Sequence, residues 1–125
     1  MTSTTLLHRQ AHPKFVDGDT ITSEVFRPSP KDEGFLSVYD GDQISASQSH
    51  EHYTEKLGYK SHSVWSLAKS EADGEGVPAS PDPLEDFPSH SKIDFSGKTD
   101  RECRKIAKKL KAWAVARGCQ YLSEA

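Results

Sequence analysis

The sequence predicts an α+β domain: a small mixed or antiparallel sheet of about five strands, a shorter central helix, and a long C-terminal amphipathic helix laid across the sheet. Three observations carry this. Short segments of alternating apolar and polar residues recur before residue 70, a capping-box helix follows the best of them, and residues 100–117 hold apolar side chains at helical spacing. At 125 residues, 34% apolar and 28% charged, the chain makes one domain with a single modest core.

The Thr/Ser-rich start, residues 1–5, reads as a flexible leader. Leu6 to Gln10 form a first strand, stopped by Pro13, with Leu7 and Arg9 on one face and Leu6, His8 and Gln10 on the other. Asp17-Gly18-Asp19 signals a turn, and Thr20 to Phe26 reads as a second extended segment ended by Pro28 and Pro30. Lys31 to Gly34 is a polar loop. Phe35 to Tyr39 is the strongest strand, with Phe35, Ser37 and Tyr39 facing one way and Leu36 and Val38 the other.

Asp40-Gly41-Asp42 turns the chain, and Ser45 with Gln48 forms a capping box for a helix from Ala46 to Leu57, ended by Gly58. Its inward stripe is Ala46, His50, Tyr53 and Leu57, which turns His52 elsewhere. Ser63 to Ala68 is a further strand. Residues 69–90 form a long acidic loop rich in Pro and Gly, without a regular element as far as Pro88, and Ser91 to Phe95 a last strand. Thr99 and Glu102 open the final helix, whose core stripe is Cys103, Ile106, Ala107, Leu110, Trp113 and Ala114.

Bulk properties narrow the functions. No run reaches the roughly 20 apolar residues of a bilayer span, and the start lacks the basic region and apolar core of a signal peptide, so a cytoplasmic protein without membrane contact is expected. Cys103 and Cys119 are expected as two buried or half-buried thiols. Residues 100–118 hold seven bases against two acids, a local +5, which leaves −8 for the rest of a chain of net charge −3. With its aromatic and aliphatic residues on the core stripe, that basic helix offers no exposed stacking platform, so nucleic acid is not an expected partner.

Candidate site residues cluster on the strand and helix of residues 35–58. Ser37 and Tyr39 could line a pocket and orient a ligand, and an inward Arg9 needs either a carboxylate such as Glu24 or an anionic ligand. His8 and His50 could transfer protons. His50 and His52 lie about 200° apart on an α-helix, so no protein-ligated metal is expected and no cofactor is required.

The order His8-Arg9, His12-Pro13, Ser23-x-x-Phe26 and Leu36-Ser37-Val38 resembles small bacterial proteins without an established activity. Over residues 6 to 57 the chain is also similar, more distantly, to the RES-domain toxins and other ADP-ribosyltransferase-like NAD enzymes. That resemblance implies an NAD-hydrolysing or ADP-ribosyl-transferring enzyme of a toxin or defence system, with NAD as substrate, Arg9 on the pyrophosphate and Tyr39 beside the nicotinamide. The family's glutamate would fall to Glu51 if the helix is rotated, because the inward position is His50. The leading expectation is a polar cleft that binds or acts on a nucleotide such as NAD. The alternatives are an interaction module (an immunity protein, adaptor or regulatory partner) using the acidic loop from Glu71 to Asp86 and the basic helix, and, more weakly, a nuclease or nucleic-acid binder.

Overall fold

The computed structural model describes residues 1–29 and 34–123. Residues 31–33 of the expected polar loop lie outside this range. Among the described residues the strands are β1 (Leu6–Ala11), β2 (Val16–Asp17), β3 (Thr20–Ile21), β4 (Phe35–Asp40), β5 (Ser63–Ala68), β6 (Ala79–Pro81), β7 (His90–Asp94) and β8 (Tyr121–Leu122). The helices are α1 (Ala46–Glu51), continued by a π-helical turn (His52–Lys56), α2 (Lys69–Gly74) and α3 (Asp100–Arg117). Six strands form one sheet in the order β6-β7-β4-β1-β5-β8, with every neighbouring pair antiparallel, while β2 and β3 make a separate hairpin. The α+β architecture is as the sequence predicts, with α3 as its long helix.

The register sorts side chains onto two unlike faces. Leu7, Leu36, Val38, Leu67, Ile93 and Ala79 share the core face, and each is at most 3% exposed. Onto this face pack Ala107, Leu110 and Ala114 of α3, together with Val25 and Phe26. The opposite face carries His8, Gln10, Ser37, Tyr39, Ser66, His90 and Lys92, a polar layer on which α1 sits. The polar face of the sheet thus lies beneath α1 and the apolar face beneath α3.

Five expectations are corrected. Thr20 to Phe26 is not one extended segment, because after Ile21 the residues Ser23–Phe26 form a 3-10 helix. That turn buries the adjacent Val25 and Phe26 together, which strand alternation would have split between two faces. Residues 69–90 are not structureless, since they contain α2, β6 and the first residue of β7. The start is tied down: Thr5 is buried, its hydroxyl donates to Asp42 Oδ2 at 2.6 Å, and its carbonyl accepts from Lys69 N–H. Cys119 is exposed, whereas Cys103 is half-buried. Trp113 is 46% exposed, because the buried stripe of α3 is only as wide as Ala107, Leu110 and Ala114. Contrary to expectation, α3 therefore does carry an exposed aromatic ring. Among the described residues no helix is long and apolar enough to cross a membrane.

Two local contacts hold the frame. Arg117, in the last turn of α3, makes a bidentate pair with Glu71 at 2.8 and 2.9 Å and also donates to the Ser66 carbonyl at 3.0 Å. Glu71 Oε1 in turn accepts the Ala68 N–H at 2.8 Å. Burial pushes the Glu71 carboxyl up, but the bonds from Arg117 and Ala68 outweigh it and leave the group below its ordinary range. The second contact is backbone on backbone: Gly41 N–H donates to the Leu6 carbonyl at 2.7 Å, where β1 meets the turn after β4.

Glu71→Gln is expected to cost about 1–2 kcal/mol near neutral pH in urea unfolding. Because the folded-state value is lowered, the wild-type advantage is complete above the unfolded value and vanishes as pH falls through the folded one. A deficit that stays constant across that acidic range contradicts this account of the pair. Gly41→Ala places a methyl group 2.5 Å from the Leu6 carbonyl oxygen and is expected to cost about 1–3 kcal/mol in the same measurement.

Candidate functional site

A cleft of about 450 Å³ opens on the polar face of the sheet. Its floor is His8, Gln10, Ser37 and Tyr39, one wall is Tyr53, Leu57 and Tyr59, and the other is Leu84, Phe87 and His90, with Arg9 beneath. The cleft exists because two strands part. β1 pairs with β5 along its whole length, but with β4 only at Leu7↔Asp40 and His8↔Tyr39. Where Gln10 would next oppose Ser37, the Arg9 side chain intervenes. Its Nε donates to the Val25 carbonyl at 2.7 Å and its Nη1 to the Ser37 carbonyl at 2.9 Å, a place that strand pairing would give to a backbone N–H.

The helical wall owes its shape to the π turn. Ser45 caps α1 by accepting the Gln48 N–H, as the capping box predicts. From His52 onward the Leu57 N–H reaches back to the His52 carbonyl, and this wider turn rephases the side chains. Gly58 at φ 76° then reverses the chain, so that the Tyr59 ring lies 5.1 Å from Tyr53.

His52, three residues after the buried Ser49 and on the same helix face, points at the sheet, where its Nδ1 lies 2.8 Å from the Tyr39 hydroxyl. His50 lies elsewhere: its Nε2 bonds the Ser61 carbonyl at 3.1 Å and its ring packs on Tyr121 at 4.9 Å. The expected grouping of His50 with Ser37 and Tyr39 is thus replaced by His52 with Tyr39 and His90 with Ser37. Leu57, expected in the inward stripe, is 39% exposed at the cleft rim, and Ser49 is the buried residue of α1. Glu51 is exposed and is not among the lining residues.

Phe87 organises the outer wall. Its ring lies 4.6 Å from both Tyr39 and His52, and 5.0 Å from His90. Paired backbone bonds between Leu84 and Phe87, at 3.1 and 3.0 Å, form the small loop that presents it. Tyr53, Tyr59, Phe87, His52 and His90 were not singled out as site residues by the sequence. Leu84 and Phe87, two apolar residues three apart in an acidic stretch, were the available signal.

The electrostatics follow from burial. Desolvation pushes the His8 imidazole down, against a hydrogen bond to the Ile44 backbone and the charge of Asp40, so the ring is neutral near pH 7 with its Nδ1 2.7 Å from Ser66 Oγ. Burial raises the Tyr39 phenol far above its ordinary value, helped by Tyr53. Tyr53 is raised by burial, lowered in part by the Arg9 charge and raised again by Tyr59, so the guanidinium is felt inside the cleft. No Asp or Glu occurs among the described residues lining it.

Of the sequence candidates, the structure brings His8, Arg9, Ser37 and Tyr39 together and leaves out His50 and Glu51. Among the described residues no group of three His, Cys, Asp or Glu side chains is placed to hold a metal ion. Comparison with protein-family models, with curated proteins and with solved structures found no match.

In a spectrophotometric alkaline titration, Tyr39 and Tyr53 are expected to ionise above the free-tyrosine range, Tyr39 after Tyr53. Tyr39→Phe removes that later step. Loss of a step within the free-tyrosine range in this variant would contradict the buried phenol.

Proposed function

We infer that the cleft binds a nucleotide-type ligand: a planar base seated among Tyr53, Tyr59 and Phe87, with its polar groups toward Ser37, His90 and the Arg9 charge. The observation that carries this is the co-location of four aromatic rings, Tyr39, Tyr53, Tyr59 and Phe87, with Arg9 and two histidines in about 450 Å³. That volume suits a small ligand, and stacking a base on aromatic rings is worth about 1–3 kcal/mol. NAD is one ligand of this class. Cleavage of its glycosidic bond passes through an oxocarbenium-like transition state that a carboxylate stabilises. With Glu51 outside the cleft, binding is better supported than NAD hydrolysis.

The interaction-module reading draws on the exposed rim of Leu57, Tyr59 and Leu84, at 39%, 59% and 50%. Its other support is weaker, because the acidic stretch is largely spent inside the chain. Glu71 pairs with Arg117, Asp73 with Lys69, Glu75 with Lys109 and Asp82 with His90.

Calorimetric titration with AMP and with NAD tests the leading reading. Saturable binding that Tyr53→Ala weakens about tenfold is the expected result. The reading is overturned if neither nucleotide gives heat or raises the melting temperature, or if Tyr53→Ala binds as well as wild type.

A further inference from the structure

One hydrogen-bonded arrangement at the cleft floor has the geometry for more than binding. Ser37 Oγ lies 3.1 Å from His90 Nε2, and His90 Nδ1 lies 3.3 Å from Asp82 Oδ2 and 2.8 Å from the Asp82 carbonyl. The Asp82 carbonyl, at hydrogen-bond distance from Nδ1, can only accept, so Nδ1 carries the ring proton. In the neutral ring Nε2 is then the lone pair, and the Ser37 hydroxyl donates to it.

The arrangement is braced as well as aligned. His90 stands cross-strand from Tyr39 and diagonal to Ser37 on the same face of the sheet. Phe87 packs against the imidazole edge-on, and Asp82 N–H donates to the His90 carbonyl at 3.0 Å, tying the two residues by main chain and side chain. The His90 side chain is 11% exposed, while Ser37 is exposed at the cleft floor. A sheltered base thus stands beside an open hydroxyl.

The geometry points to a Ser37–His90–Asp82 catalytic relay for acyl transfer, acting on a carboxylic ester that bears a planar aromatic group. Ser37 Oγ attacks the carbonyl carbon, the new C–O bond forms as the hydroxyl proton passes to Nε2, and the carbonyl electron pair becomes an oxyanion. As that intermediate collapses the ester C–O bond breaks, and the leaving alkoxide takes the proton from Nε2. Water then attacks the acyl-serine in the same way, its proton going to Nε2 and from there to Ser37 Oγ as the carboxylic acid departs. The sum is ester plus water giving acid plus alcohol. Asp82 holds the ring in its tautomer and offsets the imidazolium charge that forms.

Arg9, which lines the cleft, donates from Nη1 to the Ser37 carbonyl and so sets one positive charge beside the serine backbone, the sign of charge that favours a developing oxyanion. Tyr53 and Phe87 supply the contacts for the aromatic group. Such relays recur on unrelated folds and are recognised by geometry and role, so an antiparallel sheet is no obstacle. The inference stands whether or not the cleft takes a nucleotide.

A fluorophosphonate ester without a base tests it on the intact chain, with adducts located by peptide mass mapping. The expected result is a single adduct at Ser37. Its formation should slow about 100-fold or more in His90→Ala, recover in part with added imidazole, and slow less in Asp82→Asn, which keeps the carbonyl contact. A hydrogen-bond chain of purely structural use gives neither imidazole rescue nor labelling. Absence of a Ser37 adduct in folded wild-type protein, or an unchanged rate in His90→Ala, overturns the relay even if AMP or NAD binds.

Discussion

The Arg9 guanidinium is the interaction on which the cleft depends. An arginine in the interior of a strand must find acceptors or carry a heavy desolvation cost, and here it takes one carbonyl from the 3-10 helix and one from β4. Each charge-assisted bond contributes about 1.5–3 kcal/mol. The side chain thereby substitutes for the ladder between β1 and β4, letting the strands diverge without stranding the Ser37 carbonyl. The parting creates concave space in a sheet that would otherwise be flat there. It also brings a positive charge close enough to be felt by the Tyr53 phenol.

Around that opening the polar layer is built almost entirely of paired groups. His8 is satisfied by Ser66, Gln10 by Ser49 and Ser61, and Tyr39 by His52. Side chains so committed are poor reagents but good walls, since a satisfied network is rigid. His90 differs because its partner, Ser37, is open to the cleft. A rigid polar floor, aromatic sides and one exposed hydroxyl beside an imidazole are properties of a site that holds a small molecule in a fixed pose.

Much of the fold is legible in the sequence. Thr99 with Glu102, and Ser45 with Gln48, announce their helices by capping boxes that form as written. The alternation of Phe35 to Tyr39 gives the observed faces for Leu36, Val38, Ser37 and Tyr39, two of which line the cleft. The helix phase was not legible, because polar Ser49, and not His50, is at the centre of the buried face together with His52, and the π turn from His52 then widens the helix without any signature in a 3.6-residue period. The outer wall was hidden for a different reason. Asp82, Leu84 and Phe87 lie among Pro and Gly and carry no periodicity, so only the tertiary docking of Phe87 on Tyr39 and His52 gives them a place. Val25 and Phe26 show the converse: strand-like composition that the core overrode by burying two neighbours at once.

The proposed reading puts nucleotide binding in the opening beside Arg9. Backbone amide chemical shifts recorded during titration with AMP put that to the test. Changes are expected at Ser37, Tyr39, Tyr53, Tyr59, Phe87 and His90, with α3 undisturbed. Changes centred on Trp113 and the basic face of α3, or none at saturating nucleotide, would contradict it.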